Sequence, residues 1–512
     1  LNTSWWKFDK EFDMKYVSTR NHEDKLTAAE VIIKGIAPDG GLYVPEITPQ
    51  FDLTMMGILP SCTFQERVAV IIEQFLPEFS EKEIDKAVAA AYNQKNFSVK
   101  EIAPVVLLED GTAVLELWHG PTAAFKDMAL QLLPQLLKLS MKKTKDKSKI
   151  AILTATSGDT GKAALEGFKD VPGTKIIVFY PFDGVSAVQK QQMVTTEGKN
   201  TYVIGCSGNF DDAQTGVKNI FADKELAQEL LAKNIKLSSA NSINWGRLLP
   251  QIAYYFSAYA EMQNHKQIGL SEKLNFVVPS GNFGNILAGY YAKAMGLPIN
   301  KLICASNSNN VLAEFFTTGK YNRKRNFMKT VSPSMDIIVS SNLERLLYLV
   351  SNGDSERVSS WMNQLATNGE YCIDSKTAAD IKEVFWADWI NEEDTLRTIN
   401  KVYFERGYLL DPHTAVAWRS LERYRKQTGD VTPSVIVSTA SPFKFSAAVL
   451  GAIGGMDVLH DKDEFQMLDI LAKGTGWPIP QPLQGLDKRP VLHGSYCARE
   501  EMKEIVNAIL LD

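Results

Sequence analysis

Cysteine is sparse in this chain: five residues in 512, Cys62, Cys206, Cys304, Cys372 and Cys497, odd in number and widely spaced. Such spacing yields neither a disulfide framework nor a zinc-ligand pattern, and it fits a reducing compartment. Long apolar runs are missing as well. No stretch of about 18 apolar residues occurs, and no charged-then-apolar start precedes a small-residue cleavage site, so neither a membrane span nor a secretion signal is expected. A cationic stripe is also lacking, because 55 Lys and Arg are scattered among 60 Asp and Glu for a formal net charge of −5. That balance argues against a nucleic-acid partner. The densest basic run, Lys142 to Lys149, lies between a helix pattern and a strand and reads as a solvated loop. No low-complexity tract or internal repeat is present, and no protein partner is evident. The expectation is a cytoplasmic protein that acts on a small molecule.

What is present is enough apolar side chain to fold. The composition is 45% hydrophobic and 22% charged, ordinary globular usage that can offset the entropy of ordering the chain. Single cores stop growing at roughly 250–300 residues, so two or three domains are expected. Residues 1–13 place Trp5 and Trp6 beside charges and read either as an extension foreign to the native chain or as a native amphipathic one, with Met14-Lys15-Tyr16 resembling a natural start. Residues 14–99 read as a mainly helical unit, including one helix over 23–34 and a turn at Pro38-Asp39-Gly40-Gly41. Beyond it, apolar runs alternate with helix patterns: VVLLE, AVLELWHG, KIAILTAT, KIIVFYP, NTYVIGC, NFVVPS and SVIVSTASP. Such alternation predicts an α/β fold of open, mainly parallel sheets flanked by helices. We assign this core, in two subdomains, to residues 100–309 and 431–512. Residues 310–430, charged and rich in Trp and Tyr, read as a helical accessory insertion.

Three turns carry chemistry. In His119 to Met128, HGPTAAFKDM, a turn leads Lys126 into an apolar helix. Desolvation there lowers the ammonium pKa and frees the amine to condense with an aldehyde. Gly281-Asn282-Phe283-Gly284-Asn285 follows a buried strand and opens a helix, so backbone N–H groups and the helix dipole converge on an anion, which suits a cofactor phosphate. Thr156-Ser157-Gly158-Asp159-Thr160-Gly161-Lys162 also lies between strand and helix. It is not a nucleotide-phosphate loop, because Thr156 stands where the first glycine belongs and Ala163 follows the lysine. Ser157, Gly158, Asp159 and Thr160 are therefore assigned to a substrate carboxylate. Farther on, NSINWGR offers Asn241, Asn244 and Arg247 to a substrate phosphate, with Lys162 a further candidate. The alternative for the two asparagines is capping of the helix that begins near Trp245, and both uses are compatible. His119, His413 and Asp127 read as residues that orient their neighbours. Asp211 and Asp212 lack the ligand spacing of a metal site, and none is expected.

Taken in order, HGPTAAFKDMA, TSGDTGKAA, GVSAVQKQQM, GNFDDAQ, NSINWGRLLPQIAYYF, SGNFGN, DPHTAVAW and STASPFKF resemble the threonine synthases of the fold type II pyridoxal-phosphate enzymes. The resemblance begins at YVSTRN and APDGGLYVPE and runs past Phe445. It implies pyridoxal 5'-phosphate held by Lys126 as a Schiff base, with the cofactor phosphate at Gly281, Asn282, Phe283 and Asn285 and the Thr439 hydroxyl on the ring nitrogen. It further implies conversion of O-phospho-L-homoserine and water to L-threonine and phosphate. The related alternative is a phospho-lyase that releases 2-oxobutyrate, ammonia and phosphate. Two positions depart from the family pattern: Ser441 stands where His is usual, and Asn21 where Gly is common.

Overall fold

The computed structural model describes residues 14–108 and 111–511. Residues 1–13, and with them the reading of a foreign or native extension, lie outside the described residues. The N-terminal unit opens with strand β1 (Tyr16–Ser18), which pairs antiparallel with β2 (Asn21–Leu26). The single helix expected over 23–34 is therefore half strand. Helix α1 (Ala28–Lys34) starts only after Thr27, whose Oγ1 accepts from Glu30 N–H while the Glu30 carboxylate accepts from Thr27 N–H. That reciprocal cap fixes the boundary, and the charged residues before it stay exposed on a strand. Strand β3 (Tyr43–Pro45) completes a small sheet that the helical reading of this unit missed. Two longer helices, Phe64–Glu73 and Glu81–Ala91, follow in this unit.

The α/β part follows in chain order. It begins with β4 (Val105–Leu107), β5 (Thr112–Glu116) and helix α2 (Lys126–Leu130). Then come β6 (Lys149–Ala155), α3 (Asp159–Phe168), β7 (Thr174–Pro181), β8 (Thr201–Cys206) and β9 (Ile235–Ser239). Helix α4 (Trp245–Asn264) leads to β10 (Leu274–Pro279), α5 (Gly284–Ala294) and β11 (Ile299–Ser306). A ribbon of β12 (Lys320–Asn322) and β13 (Glu370–Cys372) precedes β14 (Phe385–Trp389) and α6 (Pro412–Thr428). The chain ends through β15 (Ser434–Ser438) and β16 (Ser495–Cys497).

These strands form two large sheets. One runs β14-β11-β10-β15-β5-β4 and is parallel except for the β4 edge; the other runs β16-β8-β7-β6-β9 and is parallel throughout. Their central strands are buried on both faces, which is why they read as continuous apolar runs rather than alternating ones. Nearly every residue of α4 is buried, so this helix is packed on all sides and carries Arg247 and Gln251 into the interior. The stretch expected as an accessory helical layer, 310–430, also supplies β14, an edge of the first sheet, and α6, which packs on β10 and β11. Asp388 interrupts the apolar run of FWADW, and the segment is only five residues long, which concealed the strand.

Candidate active site

Segments that follow β5, β6, β9, β10 and β15 meet at one cleft of about 1490 Å³, roomier than the usual single-ligand pocket. Ligands collect where parallel strands end. Lys126, Ser157, Thr160, Asn241, Arg247, Thr439 and the turn Gly281, Asn282, Phe283, Gly284 and Asn285 all line it.

The loop that carries Lys126 is stitched in place. A Cβ at Gly120 would lie 2.5 Å from the Asp127 side chain, so only glycine allows the turn to close. Asp127 accepts from Thr122 N–H and from Thr122 Oγ1, both at 2.8 Å, and burial pushes its carboxyl up to about 7 against those bonds. Phe125 N–H donates to Thr439 O at 2.8 Å, and Ser441 N–H to Ala123 O at 3.1 Å. Backbone hydrogen bonds thus tie the lysine loop to the end of β15.

Lys126 Nζ lies 3.7 Å from Asp159 Oδ2. Burial pushes the ammonium down, Asp159 opposes, and Arg247 and Lys444 push with burial, leaving it at about 8. Burial also acts on Asp159, raising it, but Lys444 and then Lys126 outweigh that and hold the carboxyl well below the usual range. Asp159 is therefore the buried counter-ion of two lysines. Such a charge would repel a carboxylate; of the loop expected to receive one, Ser157 and Thr160 line the cleft, while Gly158 and the buried Asp159 do not. Gly158 holds a positive φ of 130°, and a Cβ there would strike Gln189. Thr156 Oγ1 accepts from Gly158 N–H and Gly161 N–H, which fastens the loop to the start of α3.

At the turn before α5, Phe283 adopts φ 65°, left-handed for a residue with a side chain, and its ring packs near Phe316 and Phe385. Tyr254 and Tyr255 of α4 donate to Asn285 Oδ1 at 2.5 and 2.8 Å. With its oxygen held in this way, Asn285 Nδ2 is left buried and without a partner. Arg247 is buried to 3% exposure; its Nη1–H donates to Ala240 O at 2.8 Å, its Nε has no partner, and burial lowers the guanidinium to about 10. Asn241 Oδ1 is likewise buried without a partner.

Two expected ligands are engaged elsewhere. Asn244 caps α4, accepting from Gly246 N–H at 2.8 Å and donating to Ile32 O and Ser239 O. Lys162 turns away to pair with Glu166 and donates to Thr196 Oγ1 at 2.9 Å. Outside the cleft, His119 bonds Glu116 and stacks on Trp118.

Sequence reasoning missed the segment 332–342, which crosses the cleft from within the supposed accessory layer. Ser340 Oγ donates to Gly281 O, Ser341 Oγ to Asn282 Oδ1, and Ser334 Oγ to Asp159 Oδ2. Ser334 N–H donates to His413 Nε2 at 3.1 Å, so Nδ1 carries the proton and donates to Asp411 at 2.7 Å. This strap joins the turn before α5 to the first residue of α3. Its serines give no periodic signal, and only the DPHTA motif hinted at His413. Lys444 was also missed as a site residue, although it lies in a motif whose flanking Phe443 and Phe445 mark it as buried. Among the described residues no group of three or more His, Cys, Asp or Glu side chains is placed to hold a metal, and no helix is long and apolar enough to cross a membrane.

Comparison with known proteins identifies the family of the chain. The family profile for the threonine synthase N terminus matches residues 15–92, that for pyridoxal-phosphate dependent enzymes 112–383, and that for the threonine synthase C-terminal region 414–490. Threonine synthase-like 1 of Homo sapiens is 39% identical over 456 residues, 86% of this chain and 60% of that protein, so the chain spans about 60% of the length of such relatives. The threonine synthase of Saccharomyces cerevisiae is 37% identical over 466 residues, covering 86% of this chain and 89% of the enzyme. A crystal structure of pyridoxal-phosphate-bound threonine synthase from Brucella melitensis superposes with a TM-score of 0.85 at 34% identity, covering 98% of this chain and 100% of that one. In fold and sequence alike, the chain belongs to the threonine synthase family of pyridoxal-phosphate dependent enzymes.

Proposed function

We propose that this chain converts O-phospho-L-homoserine and water to L-threonine and phosphate, using pyridoxal phosphate carried by Lys126. The observation that carries the reading is the set of anion receptors around one amine of lowered pKa. Asn285 Nδ2 lies buried and unpartnered where α5 begins, which fits the cofactor phosphate together with the backbone of Gly281, Asn282, Phe283 and Gly284. Thr439, on the same wall, is the proposed partner of the ring nitrogen. Arg247 supports a second phosphate, that of the substrate, because a buried guanidinium with a free Nε gains most from a bidentate anion. Asn241 stands beside it; Asn244 and Lys162 are left out because their side chains are engaged. Ser157 and Thr160 at the start of α3 suit the substrate carboxylate.

When bound, the cofactor supplies an electron sink for carbanion character at the substrate's α- and β-carbons. The rest falls to the chain. Lys126, near neutrality in its proton balance, takes and returns protons at those carbons. Arg247 holds the phosphate as it departs from the γ-carbon, and the strap 332–342 with its Met335 and Ile337 limits water at the reacting atoms.

A second reading, elimination to 2-oxobutyrate and ammonia, is favoured by Ser441, which replaces the family's usual His and is buried with its Oγ accepting from Phe443 N–H. Incubation of purified protein with O-phospho-L-homoserine, following phosphate, threonine and 2-oxobutyrate together, separates the two. Equal phosphate and threonine, abolished in Lys126→Ala, is the expected result. Phosphate with 2-oxobutyrate would favour the second reading, and no turnover of cofactor-loaded protein would end both.

A further inference from the structure

Lys444 has no task in the function proposed above, yet its side chain is fully buried. It sits on the short turn Pro442–Phe445 beyond β15. Its ammonium donates to Thr122 O at 2.9 Å and pairs with Asp159 Oδ1 at 2.7 Å. Gln189 Nε2 donates to that same oxygen at 2.9 Å. The other oxygen, Oδ2, accepts from Ser334 Oγ and is the one 3.7 Å from Lys126. One carboxylate thus lies between two lysines, and the closer ion pair is the one that does not line the cleft.

We propose that Lys444 is a positioning residue: by engaging Asp159 Oδ1 it orients the carboxylate toward Lys126 while neutralising it, so that Asp159 steers the Lys126 amine without locking it as an ammonium. The inference rests on Lys126 being the amine that carries the cofactor. A single buried carboxylate facing a single buried lysine forms a tight pair that keeps both charges, and an opposite charge at such range moves a pKa by about 1–3 units. A second cation changes the balance, because the carboxylate's charge is already met and the two ammonium groups repel each other. The charged groups that face Lys126 are Asp159, Arg247 and Lys444. Lys444 also faces Asp127, which is clasped by Thr122, and His413 reaches Asp159 only through Ser334. The competing role for Lys444 is purely mechanical, holding the Thr122 turn to the end of β15, and it predicts no change in the proton balance of Lys126.

The test uses cofactor-free protein from about pH 6 to about pH 10, a range that brackets the lowered lysine. Acetylation of Lys126 by limiting acetic anhydride is read by peptide mass spectrometry, and uptake of pyridoxal phosphate by absorbance. In Lys444→Met both midpoints are expected to rise by about one pH unit or more. In Asp159→Asn they are expected to fall, because the anion that favours the ammonium is gone. A folded Lys444→Met protein with the wild-type acetylation midpoint would overturn the inference. Should that variant not fold, Lys444→Gln, which keeps a donor for Thr122 O, takes its place, and a wild-type acetylation midpoint there overturns the inference equally. Failure of wild-type protein to take up pyridoxal phosphate, or uptake unchanged in Lys126→Ala, would count against the cofactor reading, while acetylation still decides the effect of Lys444 on the amine.

Discussion

At the scale of the residue, what separates a ligand-binding side chain from a structural one is what else lies within reach. Asn244 and Arg247 are three positions apart on the same helix start and equally buried, yet the asparagine has spent its amide on three backbone groups and the arginine keeps a free Nε. An unpaired buried guanidinium is costly, and the cost is recovered only when an anion binds. Arg247→Met is therefore expected to leave ligand-free stability equal or higher while raising KM for the phosphorylated substrate about 100-fold, a charge-assisted bidentate contact being lost. Thermal melting without ligand and steady-state kinetics check both halves. A variant that melts well below wild type would instead assign Arg247 to the fold.

At the scale of the element, α4 links the N-terminal unit to both sheets. Its cap does double duty: Asn244 closes the helix start and ties it to Ile32 of α1 and Ser239 of β9. Asn244→Ala removes a helix cap and leaves two buried carbonyls without that donor, an expected loss of about 2–3 kcal/mol in denaturant unfolding. Because Asn244 does not line the cleft, kcat per folded molecule should stay near wild type; a large fall in kcat with unchanged stability would return it to the substrate site. The strap 332–342 illustrates the same dependence on context. It has little regular structure, and its serines acquire meaning only from the two ligand loops they bridge.

At the scale of the whole molecule, the buried charges make stability depend on pH. Lys126 holds its proton less tightly when folded, at about 8, than at the ordinary 10.5. Between those values the unfolded chain binds more protons than the native one, so stability of the cofactor-free protein rises with pH across that window. Lys126→Met should remove this rise, as read from unfolding midpoints at about pH 8 and about pH 10. Asp127 works in the opposite sense below it: its carboxyl, raised by burial to about 7 from 3.8, makes stability fall as pH climbs through that interval.

How much of this was legible beforehand follows from the range of the interactions. Most long apolar strands, the turn that aims Lys126 and the Gly281–Asn285 helix start are set by neighbours a few residues apart, so composition and spacing alone revealed them, and the ordered motifs revealed the family. Strands β9, β11 and β14 were not visible, because polar residues interrupt them and their strand character comes from the neighbours they pair with. The same holds within the site. That a lysine, a glycine-rich turn and the Arg247-bearing segment NSINWGR exist was written in the sequence; that Asp159 sits between Lys126 and Lys444, that Lys162 turns to Glu166 and that Asn244 is a cap was decided only by folding. A side chain's local sequence sets its chemistry, but its partner is whichever group the packed chain brings within about 3 Å, often from hundreds of residues away.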